Sequence, residues 1–83
     1  MTISPTDVRR LLAAPDTDAL LVLIEGRTEV IPAAALDSDE FRGALTVTSR
    51  TELIDRVGSA DPTEHEVSEQ AASLDAEIAN LGA

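Results

Sequence analysis

The sequence predicts an α+β domain built on a small three-stranded, mostly antiparallel sheet. Its elements run α-β-β-α-β-α-α, with helices covering the sheet and a long amphipathic helix at the C-terminal end. Three observations carry this reading: four helix-capping motifs, a glycine break between two β-rich runs, and an apolar 4-3-4-3 period over the last twenty residues.

The helix starts are read first. Ser4-Pro5-Thr6-Asp7 places a hydroxyl at the N-cap, proline at the first helical position and a carboxylate at the third. Asp37-Ser38-Asp39-Glu40 and Ser49-Arg50-Thr51-Glu52 repeat the pattern, and Asp61-Pro62-Thr63-Glu64 repeats it with proline again. In each, an acceptor satisfies orphan N–H groups and an acid meets the positive end of the helix dipole. Pro15, Gly43, Gly58 and Gly82 supply the matching stops. The helices expected are therefore Pro5–Ala14, Ser38–Arg42, Arg50–Val57 and Pro62–Leu81. The first presents Val8, Leu11 and Leu12 on one face, and the third Leu53, Ile54 and Val57, both suited to covering a sheet.

Between the first two helices the chain reads as a hairpin. Leu20–Glu25 is a strand apolar on both faces, as a central strand is, and Thr28–Pro32 returns as an edge strand carrying Glu29 and ending in proline. Gly26-Arg27 is the expected two-residue loop, with glycine first, as a type II′ turn requires. Leu45-Thr46-Val47-Thr48 alternates apolar and polar and leads into the third helix. The first strand is placed in the middle, with the other two on either side. Residues 1–58 form the compact core, and 59–83 form a helix packing on that core or on a partner, one domain overall.

Charge is the other strong signal. The chain of 83 residues has sixteen acids against six cations, for a net charge of -10. Every cation is an arginine, with no lysine. Such self-repulsion weakens the compact state in dilute buffer, and molar salt screens it over about 3 Å. The composition matches a halophile-type surface; a GC-rich genome with an unrelated acidic role would produce the same counts.

Several function classes lack their chemistry. Absence of cysteine excludes disulfides and thiolate metal sites, and with no apolar run longer than Ala19–Ile24 and no basic, apolar leader the chain reads as soluble and cytoplasmic, with no membrane association. Nucleic-acid binding needs a basic face, and only Arg9-Arg10, with Arg27, offers one. A single aromatic, Phe41, leaves interface anchors and base-stacking platforms bare. No motif frames a nucleophile, the isolated glycines form no phosphate-cradling loop, and no cofactor is implied. His65, in Glu64-His65-Glu66 with Glu69 one turn on and Asp61 before the helix, is the one candidate for a divalent metal. With no second histidine or cysteine to complete a shell, a metal-dependent enzyme using His65 is disfavoured against a solvated imidazole beside acids. The protein is not read as an enzyme.

The candidate interaction residues are Val67, Ala71, Leu74, Ile78 and Leu81, a coiled-coil-type seam over about two heptads with Val67, Leu74 and Leu81 at d. Either this stripe packs on the domain's own sheet, or it meets a protein partner or a second copy as a homodimer. Asp75 and Glu77 flank it, and the chain has no arginine or lysine after Gly58, so two copies would repel at low salt. The function expected is a small, acidic, non-catalytic interaction or assembly module. An acidic regulator, or nucleic-acid mimic, that blocks a basic partner is the alternative.

Overall fold

The structure is a computed structural model that describes residues 2–59 and 61–82, with side chains described as far as residue 80. The α+β architecture is as expected: α1 (Pro5–Ala13), β1 (Leu20–Ile24), β2 (Arg27–Ile31), two 3-10 turns (Ala33–Asp37 and Asp39–Phe41), β3 (Leu45–Ser49), α2 (Arg50–Val57) and α3 (Glu64–Gly82). The sheet order is β2-β1-β3 with both neighbours antiparallel to β1, so the doubly apolar first strand is central.

The caps form largely as the sequence implies. Ser4 and Asp7 make a reciprocal capping box at the start of α1. Ile3 before the cap and Val8 after it are both fully buried in one cluster, a hydrophobic staple that fixes the chain's entry. Helix α1 stops one residue early: Ala14 is extended (φ -61°, ψ 139°), because proline clashes with a preceding residue in the helical region. Ser49 caps α2 by accepting from the Glu52 N–H at 3.1 Å. Gly58 closes that helix in the left-handed region at φ 86°.

Two starts differ from expectation. Helix α3 begins at Glu64, not Pro62, because Thr63 and Glu66 make their own reciprocal cap: the Glu66 N–H donates to Thr63 Oγ1 at 3.2 Å and the Thr63 N–H to Glu66 Oε1 at 2.9 Å. The short helix expected over Ser38–Arg42 is absent. Ser38 is extended (φ -75°, ψ 157°) between two 3-10 turns, and its hydroxyl donates to the Ala35 carbonyl instead of capping. Five residues are too few to offset the cost of nucleating an α-helix, so i→i+3 bonds form instead.

The hairpin loop is shifted by one residue. Ile24 pairs with Arg27, and Glu25 (φ 51°) and Gly26 (φ 77°) form the two-residue loop, a type I′ turn with both positions left-handed. The expected Gly26-Arg27 loop would set Pro32 opposite Leu21 inside the ladder, where proline has no N–H to donate. The observed register ends at Leu20 and Ile31 and leaves Pro32 outside. A one-residue loop shift moves partners by two, so each side chain keeps its face. Arg27 spans the turn, donating from Nη1 to Glu25 at 3.0 Å and from Nε to Glu29 at 3.3 Å. Nothing lies within 4 Å of a Cβ built on Gly26. Gly26→Val is thus expected to lower stability by about 1–2 kcal/mol through backbone strain alone, read as a lower thermal midpoint.

Alternation along β1 divides the core into two layers. Leu21 faces the helices with Ile3, Val8, Leu11, Ala19, Leu53, Val67, Ala71 and Leu74, while Val22, Ile24, Ile31 and Phe41 cluster on the opposite face. The alternation expected for β3 is broken by a bulge at Val47, since Leu21 pairs with Thr48 but Val22 with Thr46. Thr48 is therefore buried, donating to Glu52 Oε2 at 3.2 Å, and Leu45 is 39% exposed.

Candidate functional site

The seam on α3 is turned inward. Val67, Ala71 and Leu74 are 3%, 0% and 0% exposed, in one cluster with Ile3, Val8 and Leu11, and Ile78 packs half-buried against it. The Leu81 side chain lies outside the described residues. The 3.6-residue period aligns the stripe with α1, and the small Ala71 and Ala19 in the cluster accommodate its larger neighbours.

Polar ties hold both margins of the stripe. Asp75 Oδ1 accepts from the backbone N–H groups of Thr2 at 2.7 Å and Ile3 at 3.0 Å. On another bearing, Arg56 donates to Glu77 at 3.4 Å and to Ser73 Oγ at 3.1 Å. Arg9 reaches Glu64 at the start of the helix. The two acids expected to make the seam repel a second copy are both engaged within this chain.

The Ile3 and Thr2 N–H groups hold the Asp75 carboxyl below its ordinary range, the Ile3 bond contributing most. A lowered folded-state pKa means the interaction stabilises fully above the ordinary carboxylate value and is lost as pH falls through the folded value. Asp75→Asn should melt below the parent at neutral pH. That gap should narrow as pH falls below about 4 and close in stronger acid, as acid-to-neutral circular dichroism melts can check. A gap constant across the range would show that the carboxylate charge contributes nothing.

His65 Nε2 lies 3.1 Å from Glu69 Oε1, as the i, i+4 spacing implies, with the side chains 82% and 64% exposed. Asp61 does not join them, and no group of three metal-ligating side chains occurs among the described residues. Asp39 of the 37–40 acid run pairs with Arg42 at 2.8 Å, both fully open to solvent. Four hollows among the described residues hold about 290–370 Å³ each. The one between α1 and α3 is lined by Arg9, Leu12, Asp61, Pro62 and Glu64 and brings no nucleophile near a base.

The arginines decide the outward charge. Arg9, Arg10, Arg27, Arg42 and Arg56 each sit within 4 Å of a carboxylate. Arg50 donates from Nε to the Leu12 carbonyl at 3.2 Å, tying α2 to α1. The two nominated as a basic cluster, Arg9 and Arg10, pair with Glu64 and Asp7. Six of the sixteen acids are engaged in this way, which among the described residues leaves ten with no arginine partner.

The sequence reading missed the tie made by Asp7. Beyond its cap role, it accepts from Thr28 Oγ1 of β2 at 2.9 Å and is 7% exposed. Nothing local to Asp7 signals that contact. The burial of Ile3 had a signal, since its spacing from Val8 is that of a staple.

No protein-family model matches the chain, and comparison with curated proteins and with solved structures returns no match. Among the described residues, no helix is long and apolar enough to cross a membrane.

Proposed function

We propose that this chain is a non-catalytic interaction module whose outward face is recognised as a negative surface by a basic partner protein. The arginine pairing carries the reading. Five of the six arginines sit against carboxylates and the sixth, Arg50, is turned to a backbone carbonyl, so the field a partner meets is dominated by carboxylates without counter-charge. Such a surface selects partners by charge at contact range and needs no aromatic anchor. A cytoplasmic setting with molar salt fits the same composition, because screening there relieves the self-repulsion.

Assembly through α3 is a second reading, favoured by Ile78, the half-buried outer end of the stripe. It predicts a dimer mass by light scattering in 2 M KCl, which Ile78→Glu abolishes without unfolding.

Position separates partner recognition from salt adaptation. Tagged protein is incubated with extract from its own source in 2 M and 0.5 M KCl, beside two triple variants: Asp16→Asn/Asp18→Asn/Asp55→Asn and Asp37→Asn/Asp39→Asn/Glu40→Gln. Recognition predicts a discrete basic protein that one triple loses and the other retains. Equal loss from both, or no stoichiometric partner at either salt, assigns the acids to hydration alone.

A further inference from the structure

The connection from β2 to β3 is attached unlike the rest of the molecule. Residues 33–44 cross the sheet face opposite the helices and rest on it through Leu36, Phe41, Ala35 and Ala44, against Leu20, Val22, Ile24 and Ile31. Among the described residues, the hydrogen bonds and ion pairs of this segment stay within it or reach only its own Pro32 end. The Ala35 N–H donates to Pro32 at 2.9 Å, Ser38 to Ala35 at 3.0 Å, Phe41 to Ser38 at 3.2 Å and Ala44 to Phe41 at 3.0 Å, while Arg42 pairs with Asp39. None crosses to α1, α2, α3 or the strands' side chains.

The opposite layer is cross-tied throughout. Asp7 joins β2, Asp75 joins the N-terminal residues, Arg50 joins α1, Thr51 donates to the Thr17 carbonyl and Arg56 joins α3. A segment held by two large apolar side chains and no cross-linking polar bond sits at the low end of local stability. A surface hollow of about 290 Å³, lined by Leu36, Ser38, Phe41 and Arg42, opens beside it. Its two ends differ in freedom: the proline ring leaves only ψ to turn at Pro32, while glycine leaves both angles free at Gly43. Pro32 is extended outside the ladder, and Gly43 sits at φ 87° with open space where a Cβ would be.

We infer that residues 33–44 are a hinged cover, which opens as one unit about Pro32 and Gly43 and bares the apolar face of β1 and β2 while the helix layer stays folded. Opening leaves the helix-side cluster around Leu11, Leu53 and Leu74 intact. It gives up the Phe41 and Leu36 contacts and gains the backbone freedom of about a dozen residues. The exposed face carries Val22, Ile24 and Ile31, which are at most 8% exposed in the closed form.

Native-state hydrogen exchange on the full chain in 2 M KCl, read residue by residue over a series of low urea concentrations, tests this. The amides of Ala35, Ser38, Phe41 and Ala44 should share one opening equilibrium, protected at least about 100-fold less than those of Leu11, Leu53 and Leu74, with a smaller urea dependence. Phe41→Ala and, separately, Leu36→Ala should speed exchange of those four by about 10-fold or more, with the helix amides unmoved. Equal protection and equal urea dependence in both layers overturns the inference. So does exchange of the four amides at unrelated rates without urea dependence, which is fraying and not a unit. A Phe41→Ala chain whose helix amides accelerate in step with the cover overturns it as well.

Discussion

Leu74→Asp combined with Ile78→Asp should leave the chain unfolded even in 2 M KCl. Leu74 is fully buried among Val8, Leu11 and Leu53, and Ile78 closes the same cluster. Losing a buried leucine-sized side chain costs about 2–5 kcal/mol, and an unpaired carboxylate in that site adds several more. A domain of this size holds only about 5 kcal/mol or little more against unfolding. Molar salt screens Glu77 and the surface acids, so their repulsion does not confound the result. The helical circular dichroism signal should be lost at 25 °C. Leu74→Ala alone should keep it, at a lowered midpoint. A double variant that stays helical and melts with the parent would mean that the stripe serves a partner and not this core.

Asp7→Ala should be the costliest single change outside the apolar core, at about 2–4 kcal/mol. One carboxylate completes the capping box of α1, accepting from the Ser4 N–H at 3.0 Å and the Ser4 hydroxyl at 3.2 Å, and binds Thr28 of β2 at 2.9 Å. Loss of a cap alone is worth about 1 kcal/mol, and the remainder comes from leaving the half-buried Thr28 hydroxyl and Ser4 N–H without their acceptor. Ser49→Ala isolates the cap term, because Ser49 caps α2 without a second partner of that kind; it should cost only about 1 kcal/mol. Asp7→Asn keeps an acceptor oxygen and should fall between the two. If Asp7→Ala and Ser49→Ala melt alike, the link from α1 to β2 contributes nothing. Urea unfolding curves followed by circular dichroism distinguish these cases.

These predictions differ in how far the sequence could have supplied them. The inward stripe was legible as a stripe, because a 4-3-4-3 spacing on an α-helix puts five side chains on one face whatever lies opposite. What lies opposite was not legible. Own-core and partner packing ask for the same apolar period, and only the position of α1, with Ile3 threaded between, separates them. The charge of Asp75 was visible as a flank of the seam. Its acceptor role depends on two N–H groups more than seventy residues away in sequence. The arginines likewise could be counted, but their pairing could not, since Arg56 meets Glu77 and Arg9 meets Glu64 only through helix docking.

By itself the sequence determined what depends on near neighbours. Ser4, Ser49 and Gly58 set helix ends because a cap closes within three or four residues, and the apolar centre of β1 made that strand central because both its faces had to be covered. Tertiary structure decided wherever two local solutions were close in energy. The hairpin loop moved to Glu25-Gly26, which kept proline out of the ladder without changing any side chain's face. The bulge at Val47 broke the expected alternation and buried Thr48, because the hydrogen-bonding phase of β3 is set by β1 and not by its own sequence pattern. The stretch Ser38–Arg42, expected to form a short helix, holds a single 3-10 turn and lies with the turn before it on the sheet, since Phe41 and Leu36 gain more by that packing than five residues gain by closing one α-helical turn.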